Sequence, residues 1–271
     1  MTVLVTGATG LVGSRLLPRL VAAGLECRAI VRGGKASIPG VTVVDADLLQ
    51  PDTLVQAVTG ASAIVHLAAV FRTPDPDLIW RANVDGTRNL IETASRYAPT
   101  LRFIMASTSN VYGMDGAHPG REDDAVDPMH PYPASKLAAE SLLRASGLTW
   151  SILRFGFVYG DGDGHLESLP GHVRQGGWHP AKRMSLLHHR DIATAARLAL
   201  SGATDGRIVN IADDAPTSIY ELVGLVGEKM DMCAEPLSHP WHLLVDTRSA
   251  RTLGFEPSVR SVHQAMHEGL M

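Results

Sequence analysis

Cysteine is nearly absent from this chain. Its two thiols, Cys27 and Cys233, stand far apart and in no ligand-like spacing, which excludes a disulfide framework and a cysteine-held metal. Both read as small hydrophobes. Charge of one sign is not in excess either: the net charge is −4, too balanced for a nucleic-acid or anionic-membrane footprint. The longest apolar stretch, 63–71, is broken by His66 and is far too short to span a bilayer. The sequence opens directly on Val3-Leu4-Val5, so no signal peptide is expected and the protein is expected to be soluble and cytoplasmic. Internal repeats and low-complexity tracts are also missing. His263 and His267 have helical spacing but no glutamate between them and no third ligand nearby, so no metal site is expected.

Short β-type runs alternating with helical patterns fill the first 160 residues. Strands are expected at 3–6, 27–31, 41–44, 63–67, 101–106 and 150–153, and helices at 11–23, 51–58, 77–97 and 132–145. Several strands are solid apolar runs, as in a parallel sheet covered on both faces. The alternation predicts an α/β fold with a doubly wound parallel sheet of Rossmann type. After Gly160 the texture changes to Gly, Pro and His, with a long loop over 162–179 that has room for one helix. Helices at 192–200 and 219–229, strands at 184–187 and 208–211 and a helical tail complete the chain. Residues 1–160 are therefore expected to form the core. Residues 161–271 are expected to form a small substrate-covering lobe, with some elements returning to the core.

The first strand runs into Thr6-Gly7-Ala8-Thr9-Gly10-Leu11-Val12-Gly13. Glycines at these three positions permit a tight turn, backbone approach to a pyrophosphate, and close packing of helix on strand. The following helix would offer free N–H groups and its positive end to the phosphates. Such a turn carries weight because it lies between a strand and an amphipathic helix. At the end of the second strand, where an NAD site usually has an acid, stands Arg32 in Ile30-Val31-Arg32-Gly33-Gly34-Lys35. Its guanidinium suits a 2′-phosphate, or it is simply a solvated loop arginine. NADP is therefore the expected cofactor, with NAD as the lesser option. Asp47, followed by Leu48, offers a carboxylate for the adenine or a cap for the next helix.

Tyr132-Pro133-Ala134-Ser135-Lys136 puts a phenol and an ammonium on one helix face. A free tyrosine, with a pKa of about 10, is a poor base at neutral pH. A neighbouring Lys⁺ and an oxidised nicotinamide would favour its phenolate. Thr108, in Ala106-Ser107-Thr108-Ser109-Asn110-Val111-Tyr112-Gly113, ends the fifth strand, where carboxyl strand ends face the ligand crevice. A hydroxyl there can stabilise charge on a substrate oxygen.

With these motifs together the chain resembles the extended short-chain dehydrogenase/reductases, the NAD-dependent epimerase/dehydratase family. Further matches are Asp47-Leu48, His66-Leu67-Ala68-Ala69, Asn83-Val84-Asp85-Gly86-Thr87, Leu153-Arg154, Val158-Tyr159-Gly160, the run from His188 to Asp191, and Asn210-Ile211. The resemblance implies that Thr108, Tyr132 and Lys136 are catalytic. It implies that Leu67, Ala68, Ala69 and Phe155 line the cofactor, and that Ser109, Asn110 and Phe157 meet the substrate. Asn83 would sit under the nicotinamide or make a structural hydrogen bond. His188 and Asp191 would order the loop over the site. A homodimer through helices 77–97 and 132–145 is implied, unless their apolar faces, with Leu137, Ala138, Leu142 and Ala145, only pack on the sheet.

Two positions depart from the nucleotide-sugar members of that family. Phe157 stands where they usually have an asparagine, and Met184 where they have a phosphate-binding arginine, with Arg183 one residue off. Together with Trp178 and Trp241 these suggest an apolar pocket. The expected function is thus an NAD(P)-dependent oxidoreductase moving hydride to or from a small carbonyl or alcohol. The alternative is a nucleotide-sugar epimerase or dehydratase, in which case His165, His172 and His179 become candidate phosphate partners. A dinucleotide sensor would have no use for Thr108, Tyr132 and Lys136 together.

Overall fold

The computed structural model describes residues 1–33 and 36–271; Gly34 and Lys35, quoted above with Arg32, lie outside the described residues. Seven parallel strands form the main sheet: β1 (Thr2–Thr6), β2 (Glu26–Val31), β3 (Val41–Asp45), β4 (Ala63–His66), β5 (Arg102–Thr108), β6 (Thr149–Phe155) and β10 (Arg207–Ile211). Their order is β10-β6-β5-β4-β1-β2-β3. The fully apolar runs Val3-Leu4-Val5 and Ala63-Ile64-Val65 are buried, because helices cover both faces. On one face lie α1 (Gly13–Ala22) and α7 (His189–Leu200), packing Leu16, Leu17, Leu20, Ile192 and Ala199 against the strands. On the other lie α2 (Pro51–Val58), α4 (Gly86–Tyr97) and α5 (Pro131–Arg144), contributing Leu54, Leu90, Ala94, Ala139 and Leu143. This is the doubly wound sheet expected from the alternation.

The helix predicted over 77–97 is continuous but not uniform. It runs as α3 (Pro76–Trp80), a π-helical turn (Arg81–Asp85) and then α4. Asp75 caps its start, accepting from the N–H groups of Asp77 and Leu78 at 3.0 and 3.2 Å. Such π turns insert one extra residue and cluster at functional sites; this one carries Asn83. Helix α5 begins one residue earlier than expected, with Pro131 at a first-turn position, where the missing N–H costs nothing.

Beyond residue 160 the chain both rejoins the sheet, through α7 and β10, and builds a second small core. That core gathers Leu166, Leu169, Val173, Met184, Ile219, Leu222, Val259 and Val262. The single strand expected at 184–187 is two: β8 (Arg183–Met184) pairs antiparallel with β11 (Thr217–Ser218), and β9 (Leu186–His188) pairs parallel with β7 (Phe157–Tyr159). Ser185 separates them because its N–H leaves both pairs, donating to Leu243 O at 3.0 Å, while its carbonyl opens the β7–β9 ladder by accepting Phe157 N–H at 2.9 Å. A Cβ at Gly156 would lie 2.6 Å from that same carbonyl, so only glycine lets β6 run on into β7. Helix α6 (Leu169–Gly176) occupies the long loop, and α8 (Ile219–Leu225) stops four residues short of the expected end. After α8 the left-handed Gly227, at φ +80°, and Pro236 and Pro240 keep the chain irregular. The helical tail consists of α9 (Arg248–Thr252) and α10 (Val262–His267). Asp191 secures it by accepting from the Ser258 N–H and hydroxyl at 2.6 and 2.7 Å and from Val259 N–H at 3.1 Å. Among the described residues no helix is long and apolar enough to cross a membrane.

Candidate active site

Strand order reverses between β1 and β4, and an open α/β sheet binds ligands outside the carboxyl ends of its strands at such a point. A cavity of about 1160 Å³ lies there, bounded by the Gly7–Gly13 turn, the β4 end, the β5 end, the start of α5 and the lobe. Of the residues expected from the sequence at the cofactor or substrate, all but Trp241 and Asn83 line it. Two of the glycines are sterically required: a Cβ on Gly7 would come within 2.7 Å of Ala68 N, and one on Gly13 within 2.2 Å of Gly7 O, whereas one on Gly10 would lie 3.2 Å from Gly7 O. Val12 provides no side-chain cap for α1, whose first turn holds no acid. Ser14 and Arg15 N–H already donate to Gly10 O and Val12 O at 3.0 and 3.1 Å, but among the described residues the N–H groups of Leu11, Val12 and Gly13 have no acceptor. These three are open to an anion, and the residues present fit a dinucleotide diphosphate.

At the adenosine side Arg32 is exposed and, among the described residues, has no hydrogen-bond or ionic partner. Asp45 lies against the same turn, its Oδ1 accepting Gly33 N–H at 2.8 Å. Asp47 does not cap α2; its Oδ1 accepts the nearby Leu49 N–H at 2.9 Å, and the side chain borders the cavity.

At the reaction end Thr108 and Lys136 are buried and Tyr132 rests against Phe71, ring centroids 5.6 Å apart. Thr108 Oγ1 accepts the Asn110 N–H at 3.2 Å, which leaves its own proton free for another oxygen. Burial pushes the Tyr132 phenol up to about 12 and the Lys136 ammonium down to about 8, Glu140 opposing the latter. In the protein alone burial outweighs the expected help from Lys136, so the phenolate needs added positive charge. Beneath them runs a fixed chain of hydrogen bonds. Ala68 N–H donates to Thr6 Oγ1 at 3.2 Å, and Thr6 donates to His66 Nδ1 at 2.7 Å. His66 Nε2 then donates to Thr87 Oγ1 at 2.9 Å, and Thr87 to Asn83 O at 2.6 Å. Desolvation, then Lys136, depresses His66 to about 3, so it is neutral, as this tautomer requires.

Asn83 is a clamp. Its Oδ1 accepts Val70 N–H at 2.7 Å while Nδ2 donates to Val70 O and Ser135 Oγ, both at 2.9 Å. It ties the loop after β4 to the helix of Tyr132 and Lys136. Of the two readings left open, the structural hydrogen bond is the one present, made to a loop and a helix instead of a strand.

Sequence reasoning missed the buried network below α5. Glu140 accepts from Ser107 Oγ and from Arg154, whose Nε and Nη2 reach its two oxygens at 3.1 and 2.7 Å. Arg154 Nη1 donates to Tyr112 Oη at 3.0 Å, which donates to Asn210 Oδ1 at 2.8 Å. The available signal was an acid at i+4 from Lys136 on the apolar face that also carries Ala139 and Leu143.

The lobe end also differs from expectation. Met184 contributes mostly to the lobe core, Phe157 stacks on His165 at 4.2 Å, Trp241 and Arg183 do not reach the cavity, and both are exposed. Cations come from elsewhere. Lys182 projects over the Trp178 ring at 5.1 Å and donates to His242 Nδ1 at 3.0 Å. Burial lowers Lys182, and burial together with Lys182 brings His242 down to about 4. Arg72 borders the same space, close enough to oppose protonation of His165, which burial already lowers. Among the described residues Asp47 is the sole carboxylate on the cavity wall, facing Arg32, Arg72, Lys136, Lys182 and six histidines. No sequence motif marks Lys182 or Arg72.

A family model described as the NAD dependent epimerase/dehydratase family matches residues 3–212. The chain belongs to the NAD-dependent epimerase/dehydratase family. A relative within it is the 4-hydroxy-2-methyl-3-oxo-4-farnesyl-3,4-dihydroquinoline-1-oxide ketoreductase of Stigmatella aurantiaca, 29% identical over 94% of this chain and 80% of its own. The dTDP-glucose 4,6-dehydratase of Streptomyces griseus is 28% identical over 94% of this chain and 89% of its own. Among solved structures, MoeE5 in complex with UDP-glucose and NAD superposes with a TM-score of 0.79, at 27% identity over 98% of this chain and 96% of its own. The expectation of NADP is corrected by this comparison, since MoeE5 holds NAD in this complex and in another with UDP-glucuronic acid. The physical reason lies in Arg32: an exposed side chain with no supporting partner, beside the Asp45 carboxylate, is not a built phosphate site.

Proposed function

We propose that this family member is an NAD-dependent epimerase or dehydratase of a nucleoside-diphosphate sugar, the lobe built by the parts of residues 161–271 outside α7 and β10 covering the sugar nucleotide. The observation that carries this reading is the charge of the cavity wall. A chain of net charge −4 has gathered four cations and one carboxylate around one cavity, with Arg72 and Lys182 in the part bordered by the lobe. Burying a diphosphate is prohibitive without such partners, whereas a neutral ketone has no need of them. Similarity to MoeE5 and to the dTDP-glucose dehydratase supports the same choice.

In this reading Gly7, Gly10, Gly13 and the start of α1 hold the NAD diphosphate, Leu67, Ala68 and Ala69 flank the dinucleotide, and Lys136 holds the nicotinamide ribose. NAD, when bound, supplies a hydride acceptor that returns the hydride to the same substrate. Tyr132 takes the proton of the sugar hydroxyl being oxidised and gives it back on reduction. Thr108 donates its free proton to that oxygen and steadies the charge on it. Ser109 and Asn110 border the sugar.

The test is a thermal-shift panel of UDP- and dTDP-sugars with NAD and NADP, beside an assay of dinucleotide turnover on carbonyl compounds. Stabilisation by NAD and a nucleotide sugar, without net dinucleotide turnover, is expected. Tyr132→Phe should lower conversion of the stabilising sugar by roughly 10²–10⁴-fold. Steady NADH consumption on simple ketones with no response to any nucleotide sugar would refute the proposal.

A further inference from the structure

Lys136 is 2% exposed, and none of its hydrogen-bonding capacity is used among the described residues. A buried ammonium without a counter-charge tends to lose its proton, yet the proposed chemistry needs it charged. The titratable groups around it can be named from each neighbouring element. On α5 Glu140 is the group whose charge raises it, with Tyr132 one turn back; on β4 His66 feels its charge and is neutral; on β6 Arg154 holds Glu140, with Tyr112 beyond it. Glu140 is the sole carboxylate of the set.

The placement of Glu140 is unusually constrained. It is 1% exposed, sits at i+4 from Lys136, and is held on both oxygens by the Arg154 fork at 3.1 and 2.7 Å, Ser107 taking Oε1 as well. Ser107 immediately precedes Thr108, so the same carboxylate joins the end of β5 to the helix carrying Tyr132 and Lys136. Arg154 alone would make Glu140 a structural ion pair. One helical turn from Lys136, its charge also bears on the reaction end.

We propose that Glu140 is a positioning residue for the reaction: its carboxylate, clamped by Arg154 and Ser107 one turn behind Lys136, keeps the ammonium charged in its buried setting and, by its own field at the reaction end, sets the pH range over which Lys136 and Tyr132 work. The inference rests on the roles proposed above for Tyr132 and Lys136. Removing the negative charge makes the local potential more positive, so Lys136 and Tyr132 both deprotonate at lower pH. Removing Arg154 releases the full charge of Glu140 toward Lys136, and both deprotonate at higher pH. A merely structural ion pair would give damage of one kind from either side, never opposite displacements.

The experiment follows the ultraviolet tyrosinate absorbance of the full chain with NAD bound, subtracting Tyr132→Phe to isolate Tyr132. The pH profile of turnover is recorded alongside. Glu140→Gln should move the Tyr132 midpoint and the turnover profile down by about one pH unit, as expected for a unit charge about 6 Å away in a partly screened interior. Arg154→Met should move them up. Glu140→Asp, which restores the charge, and Ser107→Ala, which leaves it in place, should keep them near the wild-type position. If Glu140→Gln yields no folded chain, the upward displacement in Arg154→Met decides. No displacement, or displacement in one direction for both variants, overturns the proposal. If Tyr132→Phe itself retains full turnover, the roles assigned to Tyr132 and Lys136 fall instead.

Discussion

Replacing Asn83 by alanine tests how the π turn serves the cavity. The side chain is 1% exposed and makes three hydrogen bonds, two of them to the N–H and C=O of Val70. Ser135 is left with a second bond, from its hydroxyl to Tyr132 O at 2.7 Å, so its loss is partial. Both backbone groups of Val70, however, are stranded. Each unsatisfied buried group costs about 1–3 kcal/mol. Val70 is only half-buried, so the lower part of that range applies. The expected loss is about 2–4 kcal/mol, read as a fall in the urea midpoint at unchanged slope. Turnover should drop roughly tenfold or more, because the loop beside Ala68 and Ala69 and the helix of Tyr132 are no longer held together. Asn83→Asp is nearly isosteric but turns a donor to Val70 O into an acceptor, so it should be at least as damaging at neutral pH. A loss below about 0.5 kcal/mol for alanine, or a tolerated aspartate, would show that the clamp adds little.

Two further outcomes follow from the same structure. His66 is neutral in the fold at about 3, below its unfolded value of about 6.5, so the unfolded chain binds the proton first as pH falls. Between about pH 6 and pH 4 the wild type should lose roughly 1.4 kcal/mol per pH unit more than His66→Gln; equal slopes in urea titrations across that window would remove the argument. We also propose a homodimer through α4 and α5, since Trp80 at the end of α3 and Tyr97 at the end of α4 are 41% and 46% exposed. Light scattering should report twice the chain mass, and a monomeric mass at micromolar concentration would return Leu137 and Leu142 to packing inside one chain.

Elements written in local spacing were legible from the residues alone. Gly7, Gly10 and Gly13 between a strand and a helix marked the cradle, because the tight turn leaves no room for a side chain at Gly7 and Gly13. Tyr132 and Lys136, four apart, marked one helix face. Solid apolar runs such as Val3-Leu4-Val5 marked strands covered on both sides. The NADP expectation failed because a single arginine, Arg32, was read without the Asp45 carboxylate that the next strand brings beside it. The strand at 184–187 was drawn as one because hydropathy cannot show that Ser185 gives its N–H to Leu243 O while the residues on either side pair with different strands.

What the sequence by itself determined, then, is the order of strands and helices, the phosphate turn and the phenol–ammonium pair, all consequences of periodicity and of spacing within one element. The tertiary structure decided which charges meet. Ser107, Glu140 and Arg154 come from β5, α5 and β6, and Lys182 and Arg72 reach the cavity from the lobe and from the loop after β4. Such encounters depend on crossovers that bring distant segments side by side. Burial then turns their charges into strong interactions, because little water remains between them to screen the field.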